Sequence, residues 1–492
     1  MSGMFDDFKE QVRSQANIVE IISEYVPLKK RGGSFWGCCP FHGEKTPSFS
    51  VTPDKNFFYC YGCHVGGDVF TFVMKMENCT FPEALKLLAN KLGIAVPEKE
   101  KTKAELEREK QAKQVIAANE LATRFFQACL TKTDYGIKAQ EYLTGRGITP
   151  EIIERFSIGV ALPNYNALLS ALGKRGCSAG LLVQAGLAVN YDRGPMDKFR
   201  GRVMIPIQDP RGHVVGFGGR ILEQNSQQMA KYMNTGETEW FNKRTLLFGM
   251  NVALKEIKKR RQAVIVEGYM DAISLHAAGI DWAVASMGTA FAQEQAKLLA
   301  RAADEVVFSY DSDAAGQRAT VRAVSIAKEA GLKVRVLIVP DGKDPDEFVR
   351  KHGKDAYLRL IETAVSGIEF QMQYVISQNN VSNLAGKVEA VSNILPFLLE
   401  CKNEIEVAQH IKTLAQRLTI DEGLIMSEYR KLSRKNDRRE AVSKWQVQPN
   451  VLSAEDLAEQ LLLYVILKNT DLALVYRDKI DSVGFFFKIC GE

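Results

Sequence analysis

The chain has 492 residues, of which 46% are hydrophobic and 25% are charged, and its formal net charge is +5. This length is too great for one hydrophobic core and predicts about three domains of ordinary globular composition. Residues 1–7 lack a basic start followed by an apolar core, and no run approaches about 18 uninterrupted apolar residues. The sequence therefore predicts neither a signal peptide nor a membrane span.

A metal site is the first predicted feature, within residues 1–96. Two residues separate Cys39 from His42, and two residues separate Cys60 from Cys63. Two short knuckles that each offer two thiolate or imidazole ligands are typical of a tetrahedral structural zinc site. We expect one Zn²⁺ ion with no open coordination position.

Two neighbouring residues are alternative ligands for this site. Cys38 precedes the first pair and His64 follows the second. We prefer Cys39 with His42 because this pairing keeps the compact two-residue spacing. The nine cysteines are unevenly placed, which favours metal binding in a reducing cytoplasm over a disulfide framework. Aromatic and basic residues around the site predict stacking on single-stranded bases, with half of the aromatics forming the local core.

A charged stretch and a basic region follow. Residues 97–113 carry eleven charged residues and predict a linker, as extended chain or frayed helix. Residues 203–208 and 214–217 alternate in hydrophobicity around the turn residues 209–212, which predicts a hairpin. Between residues 198 and 260, twelve Lys or Arg face five Asp or Glu, a local net charge of +7 that is typical of a phosphate-binding surface.

From residue 262, short apolar runs alternate with helical patterns, which predicts a mainly parallel sheet covered by helices. The apolar runs are Ala263–Val266, Trp282–Ala285, Val306–Tyr310 and Val334–Val339, and the helical patterns include Met270–Ala278, Ala292–Ala303 and Ala314–Ala330. Helical patterns continue to about residue 433, before a basic polar link over 434–450.

Acidic residues follow the predicted strands, at the edge where open α/β sheets carry their sites. The group comprises Glu267, Asp271, Asp311, Asp313, Asp344 and Asp346. Oxygen ligands at this density favour Mg²⁺ or Mn²⁺ over zinc, and two such ions could activate an attacking hydroxyl and stabilise a leaving phosphate. Helix caps and turns are the alternative explanation, and this alternative is serious for Asp344 and Asp346.

The motifs of the chain together resemble the bacterial DNA primase family, over about residues 1–430. The matching stretches, in the family's order, are CPFH (39–42), EKTPSF (44–49), CYGC (60–63), RGRVMIPI (200–207), GFGGR (216–220), KYMN (231–234), EGYMD (267–271) and DSDAAG (311–316). The last two are Toprim motifs. Ala230 stands where the family often has proline, and Met233 replaces the common leucine.

The resemblance implies a DNA primase, a nucleotidyltransferase that synthesises short RNA primers on single-stranded DNA by two-metal phosphoryl transfer. The implied fold is multidomain, α+β and α/β, with an N-terminal zinc ribbon, a central Toprim-containing RNA polymerase core and a helical C-terminal region. The predicted segments are a zinc-binding domain (1–96), a linker (97–113), a basic N-terminal core subdomain (114–258), a Toprim domain (259–345), a helical subdomain (346–433), a second linker (434–450) and an incomplete helicase-binding region (451–492).

The resemblance also implies roles for individual residues. The catalytic residues are Glu267, Asp271, Asp311 and Asp313, and magnesium is bound by Glu267, Asp311 and Asp313, with Asp344 and Asp346. The residues that line the path of the template or of the ribonucleoside triphosphates are Arg200, Arg202, Arg220, Lys231 and Lys243. In the family a C-terminal helical domain binds the replicative helicase. Since residues 451–492 offer room only for its opening helices, we expect weak helicase binding or none.

Two other functions compete with priming. Another Toprim enzyme, a topoisomerase or a nuclease, would use the same acids for cleavage without ribonucleotides, but the zinc module and the basic region favour synthesis. A catalytically silent zinc protein that binds nucleic acid would leave the acidic cluster unexplained. A fused primase–helicase is excluded because the sequence has no Gly-x4-Gly-Lys-Ser/Thr loop.

Overall fold

The computed structural model describes residues 2–44, 46–77, 80–96, 102–222, 230–288, 290–340, 344–401 and 403–445. The contacts divide the chain into two units, residues 1–386 and residues 387–492. Within the described ranges, no helix is both long enough and apolar enough to cross a membrane.

The N-terminal module is an antiparallel sheet with four helices. Its elements are α1 (Ser2–Gln15), α2 (Ile18–Ser23), β1 (Lys29–Arg31), β2 (Ser34–Gly37), β3 (Phe49–Thr52), β4 (Phe57–Cys60), β5 (Gly66–Gly67), α3 (Val69–Met76) and α4 (Phe81–Lys91), with a 3-10 turn at Pro53–Lys55. The strands pair in chain order. Helix α4 begins with a capping box, in which the Thr80 N–H donates to the Glu83 carboxylate at 2.8 Å. This module has its own hydrophobic core.

The basic region forms an antiparallel sheet surrounded by helices. Its elements are α5 (Lys103–Lys132), α6 (Asp134–Thr144), α7 (Pro150–Arg155), β6 (Gly159–Ala161), α8 (Ala167–Gly173), α9 (Ala179–Gln184), β7 (Ala188–Tyr191), β8 (Gly194–Asp197), β9 (Arg202–Gln208), β10 (Val214–Ile221), β11 (Tyr232–Asn234), a 3-10 turn at Lys243–Thr245, and α10 (Met250–Arg260). The strand order is β11-β10-β9-β6, and β7 pairs only with β8. The predicted hairpin is confirmed as β9 and β10.

Helix α5 corrects the prediction of a linker. It begins at Lys103, inside the predicted linker, where the Thr102 hydroxyl accepts the N–H of Glu105 and the Glu105 carboxylate accepts the N–H of Thr102. The charged residues that suggested a linker are strong helix formers, and the same helix continues into the buried positions that begin at Val115.

A five-stranded sheet with four parallel strands follows. Its elements are β12 (Gln262–Val266), α11 (Tyr269–Ala277), β13 (Ala283–Ala285), α12 (Gln293–Ala300), β14 (Glu305–Phe308), α13 (Ala314–Glu329), β15 (Lys333–Val336), α14 (Pro345–Glu362), β16 (Val365–Ser366) and α15 (Gly367–Gln378). The strand order is β13-β12-β14-β15-β16, and only β16 is antiparallel to its neighbour. All four predicted strands and the three predicted helices are present, with ends that differ by at most three residues.

One hydrophobic core joins the antiparallel and the parallel sheets. It includes Val203 and Ile205 of β9 together with Val264 and Ile265 of β12. Because a close-packed interior transmits displacement, the side chains at the rims of both sheets are held in one frame.

The described part of the second unit is helical. It comprises α16 (Leu384–Leu399), which begins just before the boundary, α17 (Glu404–Leu418) and α18 (Glu422–Trp445). The predicted linker over 434–450 is therefore helical as far as Trp445. The predicted helicase-binding segment, 451–492, lies outside the described residues.

Candidate metal centres and nucleic-acid interface

Four side chains of the N-terminal module converge on one point. One ligand atom from each of Cys39, His42, Cys60 and Cys63 lies within 4.8 Å of all the others. Cys39 Sγ lies 3.8 Å from Cys63 Sγ, and Cys60 Sγ lies 3.8 Å from His42 Nδ1. Sulfur atoms and a ring nitrogen at these spacings fit a tetrahedral Zn²⁺ ion. The pairing that the sequence analysis preferred is the one that the structure brings together.

Glu44 organises the residues around this point. Its carboxylate lies 3.2 Å from His42 Nε2, and it accepts the Cys39 N–H at 2.6 Å and the Ser48 hydroxyl at 2.5 Å. A carboxylate behind a histidine ligand fixes the ring and raises its basicity, leaving Nδ1 for the metal. Gly62 permits this arrangement, because a Cβ there would lie 2.6 Å from His42 Nε2.

The thiols of this site differ in acidity before any metal binds. Burial raises the pKa of Cys39 to about 12. Burial also opposes ionisation of Cys60, but hydrogen bonds from Ser48 and from the backbone outweigh it and lower the pKa of Cys60 to about 7. The competing neighbours point elsewhere: Cys38 is exposed, and His64 Nδ1 lies 3.0 Å from the Tyr59 hydroxyl.

The aromatic residues of the module divide between its core and its surface. Phe49 and Phe58 are fully buried, whereas Tyr61 is 61% exposed. Trp36 stacks on Tyr61 with ring centroids 5.7 Å apart and planes inclined by 11°. The strand that pairs with Trp36 is β1, whose three basic residues are all exposed. Flat rings beside cations are what single-stranded bases stack on.

The acidic cluster lies at the carboxyl ends of β12 and β14. Glu267 follows β12, Asp311 follows β14, and the Asp311 N–H lies 3.3 Å from Glu267 Oε1. Asp313 caps α13 through one oxygen, Oδ1, which accepts the N–H groups of Ala315 and Gly316. A Cβ at Gly316 would lie 2.8 Å from Glu267 Oε1, so only glycine allows this carboxylate to approach α13.

Burial and the charges of neighbouring carboxylates raise the pKa values of these acids. Burial, followed by the charges of Asp311 and Asp313, raises the pKa of Glu267 to about 7. Burial and the charges of Asp344 and Asp313 raise the pKa of Asp311 to about 6. Burial and the charges of Asp344 and Asp311 also raise the pKa of Asp271 well above its usual value. Carboxylates that cannot all ionise together are a site for a hard divalent cation.

Asp344 and Asp346 have different surroundings. Asp344 caps α14 with Oδ1, which accepts the Glu347 N–H at 2.8 Å. Both oxygens of Asp346 are engaged, by Ser274 at 2.6 Å, by Arg146 at 2.6 Å and by Arg350 at 3.0 Å. A metal ion could bind Asp346 only by displacing an arginine, so the contacts favour an ion-pair role over the predicted magnesium ligand.

Three of the five predicted basic residues are accessible at the rim. Lys231 is exposed, and its charge lowers the pKa of Asp311, which puts its ammonium near the acidic cluster. Arg200 donates to the Asp197 carbonyl at 2.5 Å and packs over the Tyr165 ring at 4.9 Å. Burial and the nearby Lys243 lower the pKa of Lys198, so a further lysine joins this surface.

The other two predicted basic residues are buried. Arg202 is 1% exposed, and within the described residues its guanidinium donates to backbone carbonyls, so it has almost no surface to offer a template or a nucleotide. Arg220 bonds the Tyr232 hydroxyl and lies 4.8 Å from the Tyr232 ring and 5.6 Å from the Tyr142 ring. This burial argues against the predicted direct contact of Arg202 with a template or a nucleotide.

Sequence reasoning did not assign Glu44, Arg146 or Gln295, although each contacts a residue of the site. Glu44 was part of a recognised motif, and its place beside a histidine ligand is a signal that could have identified it. Arg146 and Gln295 carried no such signal, because their partners are distant in sequence.

Four family models match the chain. They are the CHC2 zinc finger over residues 4–104, the N-terminal domain of the DNA primase catalytic core over 125–254, a Toprim-like model over 264–349 and the DnaB-helicase binding domain of primase over 368–423. The last match falls in the segment predicted as the helical subdomain, upstream of the predicted helicase-binding region.

Curated relatives match nearly the whole chain. A DNA primase of Clostridium acetobutylicum is 39% identical, over 97% of this chain and 79% of the relative. A DNA primase of Halalkalibacterium halodurans is 34% identical, over 96% of this chain and 80% of the relative.

Solved structures of primase domains also match the chain. The zinc-binding and RNA polymerase domains of Aquifex aeolicus primase are 31% identical, with a TM-score of 0.54, and the match covers 85% of this chain and 99% of that chain. A DnaG primase catalytic domain bound to single-stranded DNA is 34% identical, with a TM-score of 0.56, and the match covers 64% of this chain and 99% of that chain.

Proposed function

Because the chain belongs to the DNA primase family, we propose that its acidic cluster, its basic rim and its zinc module divide the work of primer synthesis. The activity is DNA-directed synthesis of short RNA primers on single-stranded DNA from ribonucleoside triphosphates. A structural zinc and a divalent cation such as Mg²⁺ serve it.

The contact between Asp311 and Glu267, with the charges of Asp311 and Asp313 acting on Glu267, supports the assignment of the catalytic site. A bound divalent cation supplies charge for the transferring phosphate and lowers the pKa of the attacking hydroxyl. Glu267 and Asp311 hold the cation with their carboxylates, and Asp313 offers its uncapped oxygen. Asp344 lies close enough to raise the pKa of Asp311 and is a further ligand. Asp271, beside Asp344 and Asp311, supports them from within the cluster.

The basic rim orients the triphosphate. Lys231 is the residue whose charge acts on Asp311, so its ammonium reaches a phosphate bound at the cluster. Lys243 extends the positive surface beside Lys231 and also faces the nucleotide. Lys198, near Lys243, and Arg200 continue this surface along the path of the template. Arg220, held between two tyrosine rings, adds a fixed charge close to the same edge. Cations that face phosphates in this way act by position and charge alone.

The zinc module contacts the template. We assign Cys39, His42, Cys60 and Cys63 as ligands of a closed site, which stabilises the module and performs no chemistry. The stacked rings of Trp36 and Tyr61, next to exposed cations, support binding of unpaired bases.

The partners are single-stranded DNA, ribonucleoside triphosphates and the replicative helicase. We also assign the protein to the cytoplasm, where its bacterial relatives act in replication. Weak helicase binding, expected from the terminal segment, stays a prediction because that segment lies outside the described residues.

Primer synthesis on a defined single-stranded DNA tests the function directly. We expect short RNA products that require ribonucleotides and Mg²⁺ together. Template cleavage in the absence of ribonucleotides would instead favour a topoisomerase or a nuclease.

A further inference from the structure

Lys231 and Lys243 lie on short irregular segments at the rim of the site. Lys231 immediately precedes the three-residue edge strand β11, and Lys243 begins a single 3-10 turn. Backbone hydrogen bonds hold each segment in part, since the Lys231 carbonyl accepts the Ile221 N–H at 3.0 Å and the Lys243 carbonyl accepts the Leu246 N–H at 3.4 Å. Whatever fixes the main chain at these two places determines where the two ammonium groups lie.

Arg202 fixes the first segment from inside the protein. Its guanidinium donates to the carbonyl oxygens of Ala230 at 2.9 Å, Lys231 at 3.4 Å and Gly219 at 3.1 Å. A guanidinium presents five N–H donors in a rigid fork, whereas a lysine ammonium offers a single point of attachment. Hydrogen bonds from a charged donor are about twice as strong as neutral ones, which offsets the burial of the charge.

Gln295 fixes the second segment from the parallel sheet. Its side chain on α12 is completely buried. The side-chain amide nitrogen donates to the carbonyl oxygens of Lys243 at 2.9 Å and Leu246 at 2.7 Å, and the side-chain oxygen accepts the Ala292 N–H at 3.0 Å. Both N–H groups of the side-chain amide therefore bind the turn that carries Lys243. In this way α12, which packs in the parallel-sheet region, holds a lysine of the antiparallel-sheet region.

We infer that Arg202 and Gln295 are positioning residues, which touch no nucleotide but hold the main chain of Lys231 and Lys243 so that both ammonium groups face the phosphates. The inference rests on the proposed function, in which these lysines contact the nucleotide. It also accounts for the burial of Arg202, which is 1% exposed.

Double-mutant cycles test the inference. Arg202→Met keeps the length of the side chain and removes every donor, and it is combined with Lys231→Ala. We expect each single substitution to raise KM for ribonucleotides by about ten- to a hundredfold, since a contact to a charged group is lost. The double variant is expected to show no further rise, because both changes remove the same contact. Gln295→Met with Lys243→Ala should behave in the same way.

The outcomes separate the inference from the function on which it rests. Additive increases in KM would overturn the inference alone. A normal KM in Lys231→Ala and in Lys243→Ala would overturn the proposed nucleotide contacts, and the inference with them. In Gln295→Met and Lys243→Ala the Mg²⁺ concentration for half-maximal activity should stay unchanged, since neither residue binds metal.

Two further variants guard against a loss of folding. Arg202→Lys keeps the charge and one attachment point, so we expect an intermediate KM, and the cycle is run on this variant if Arg202→Met does not fold. Arg193→Met, in the exposed turn between β7 and β8, is the matched control and should leave KM unchanged. A KM for Arg202→Lys as high as that for Arg202→Met would still fit, whereas a wild-type KM for both would contradict the inference.

Discussion

The guanidinium of Arg146 lies 2.6 Å from the carboxylate of Asp346, although 200 positions separate them in the sequence. The carboxylate is 5% exposed and also accepts the Ser274 hydroxyl. The pair joins the loop after α6 to α11 and α14, and so bridges the two sheet regions that frame the acidic cluster.

Removing Arg146 should destabilise the protein. Breaking a buried ion pair at one partner leaves an uncompensated charge and costs about 3–5 kcal/mol. Arg350 also contacts Asp346, so Arg146→Met is expected to fall at the lower end of that range. Urea unfolding followed by circular dichroism measures the loss. The control is Arg155→Met, which breaks the more exposed Arg155–Asp281 pair and should cost at most about 1 kcal/mol.

A second substitution tests whether Asp346 acts as an ion-pair partner or as a magnesium ligand. Asp346→Asn should lower activity through stability and geometry while the Mg²⁺ dependence of the remaining activity stays as in the wild type. A marked rise in the Mg²⁺ requirement would restore Asp346 to the metal ligands.

The zinc site should hold one ion per chain. Metal analysis of Cys60→Ser is expected to show that zinc is lost, while Cys38→Ser and His64→Ala keep it. Glu44→Gln retains the size of the side chain and weakens the support of His42, which should reduce zinc affinity about 10- to 100-fold. Zinc competition with a chromophoric chelator measures this, and an unchanged affinity would mean that Glu44 is only a local hydrogen-bond acceptor.

Glu267→Gln and Asp311→Asn should abolish primer synthesis and leave the fold intact. Each change keeps the size of the side chain and removes a charge that binds the cation. Gel analysis of primers at saturating Mg²⁺ provides the measurement, with the exposed Glu294→Gln as the matched control. Near-normal synthesis in either variant would contradict the assignment.

The raised pKa of Glu267 predicts a pH effect on the metal-free protein. Its pKa is about 7 in the folded state, above the ordinary 4.5. A carboxyl group with a raised folded pKa contributes stability that is present below the unfolded pKa and lost as the pH rises through the folded pKa. In EDTA, Glu267→Gln should therefore raise Tm relative to the wild type at pH 8 but not at pH 4. Equal differences at both pH values would count against repulsion within the cluster.

Lys231 should contribute one phosphate contact to nucleic-acid or nucleotide binding. Lys231→Ala is expected to weaken binding and to reduce the slope of log affinity against log salt by about one, as counterion release requires. Fluorescence titrations of single-stranded DNA and of ribonucleotide at several salt concentrations separate the two ligands. Arg200→Ala is expected to act mainly on DNA. Unchanged affinity and slope for both variants would mean that the rim is only a solvated face.

Whatever helicase binding the chain retains should involve Ile405, the exposed large apolar residue near the start of α17. Ile405 is 80% exposed within the segment that matches the helicase-binding model. Ile405→Glu is expected to weaken helicase stimulation of priming with no change in basal synthesis, and Gln378→Glu, which adds the same charge at another exposed site, is the control. Stimulation at the wild-type level in Ile405→Glu would direct attention to other surfaces.

Short-range patterns predicted much of this protein. The zinc ligands followed from two-residue spacings, and the acids followed from the rule that parallel strands end at a common edge. Contacts between distant segments could not be predicted, since nothing local to Arg146 indicates Asp346. The basic character of Arg202 suggested a surface position, yet burial depends on how β9 pairs with its neighbours. The charged start of α5 resembled a linker because its first turns have few apolar positions to bury.

Arg202 contacts position 230 through a backbone carbonyl, an atom that every amino acid carries. This hydrogen bond therefore does not depend on the side chain at position 230. Alanine offers the same carbonyl acceptor as the proline that is common there in the family. The contact depends on the side chain at position 202 but not on the side chain at position 230. The side chain at position 230 can change without loss of this hydrogen bond, whereas position 202 needs a donor group that reaches all three carbonyl oxygens, as the forked guanidinium does. A departure from the family pattern at residue 230 is the kind of neutral change that this asymmetry permits.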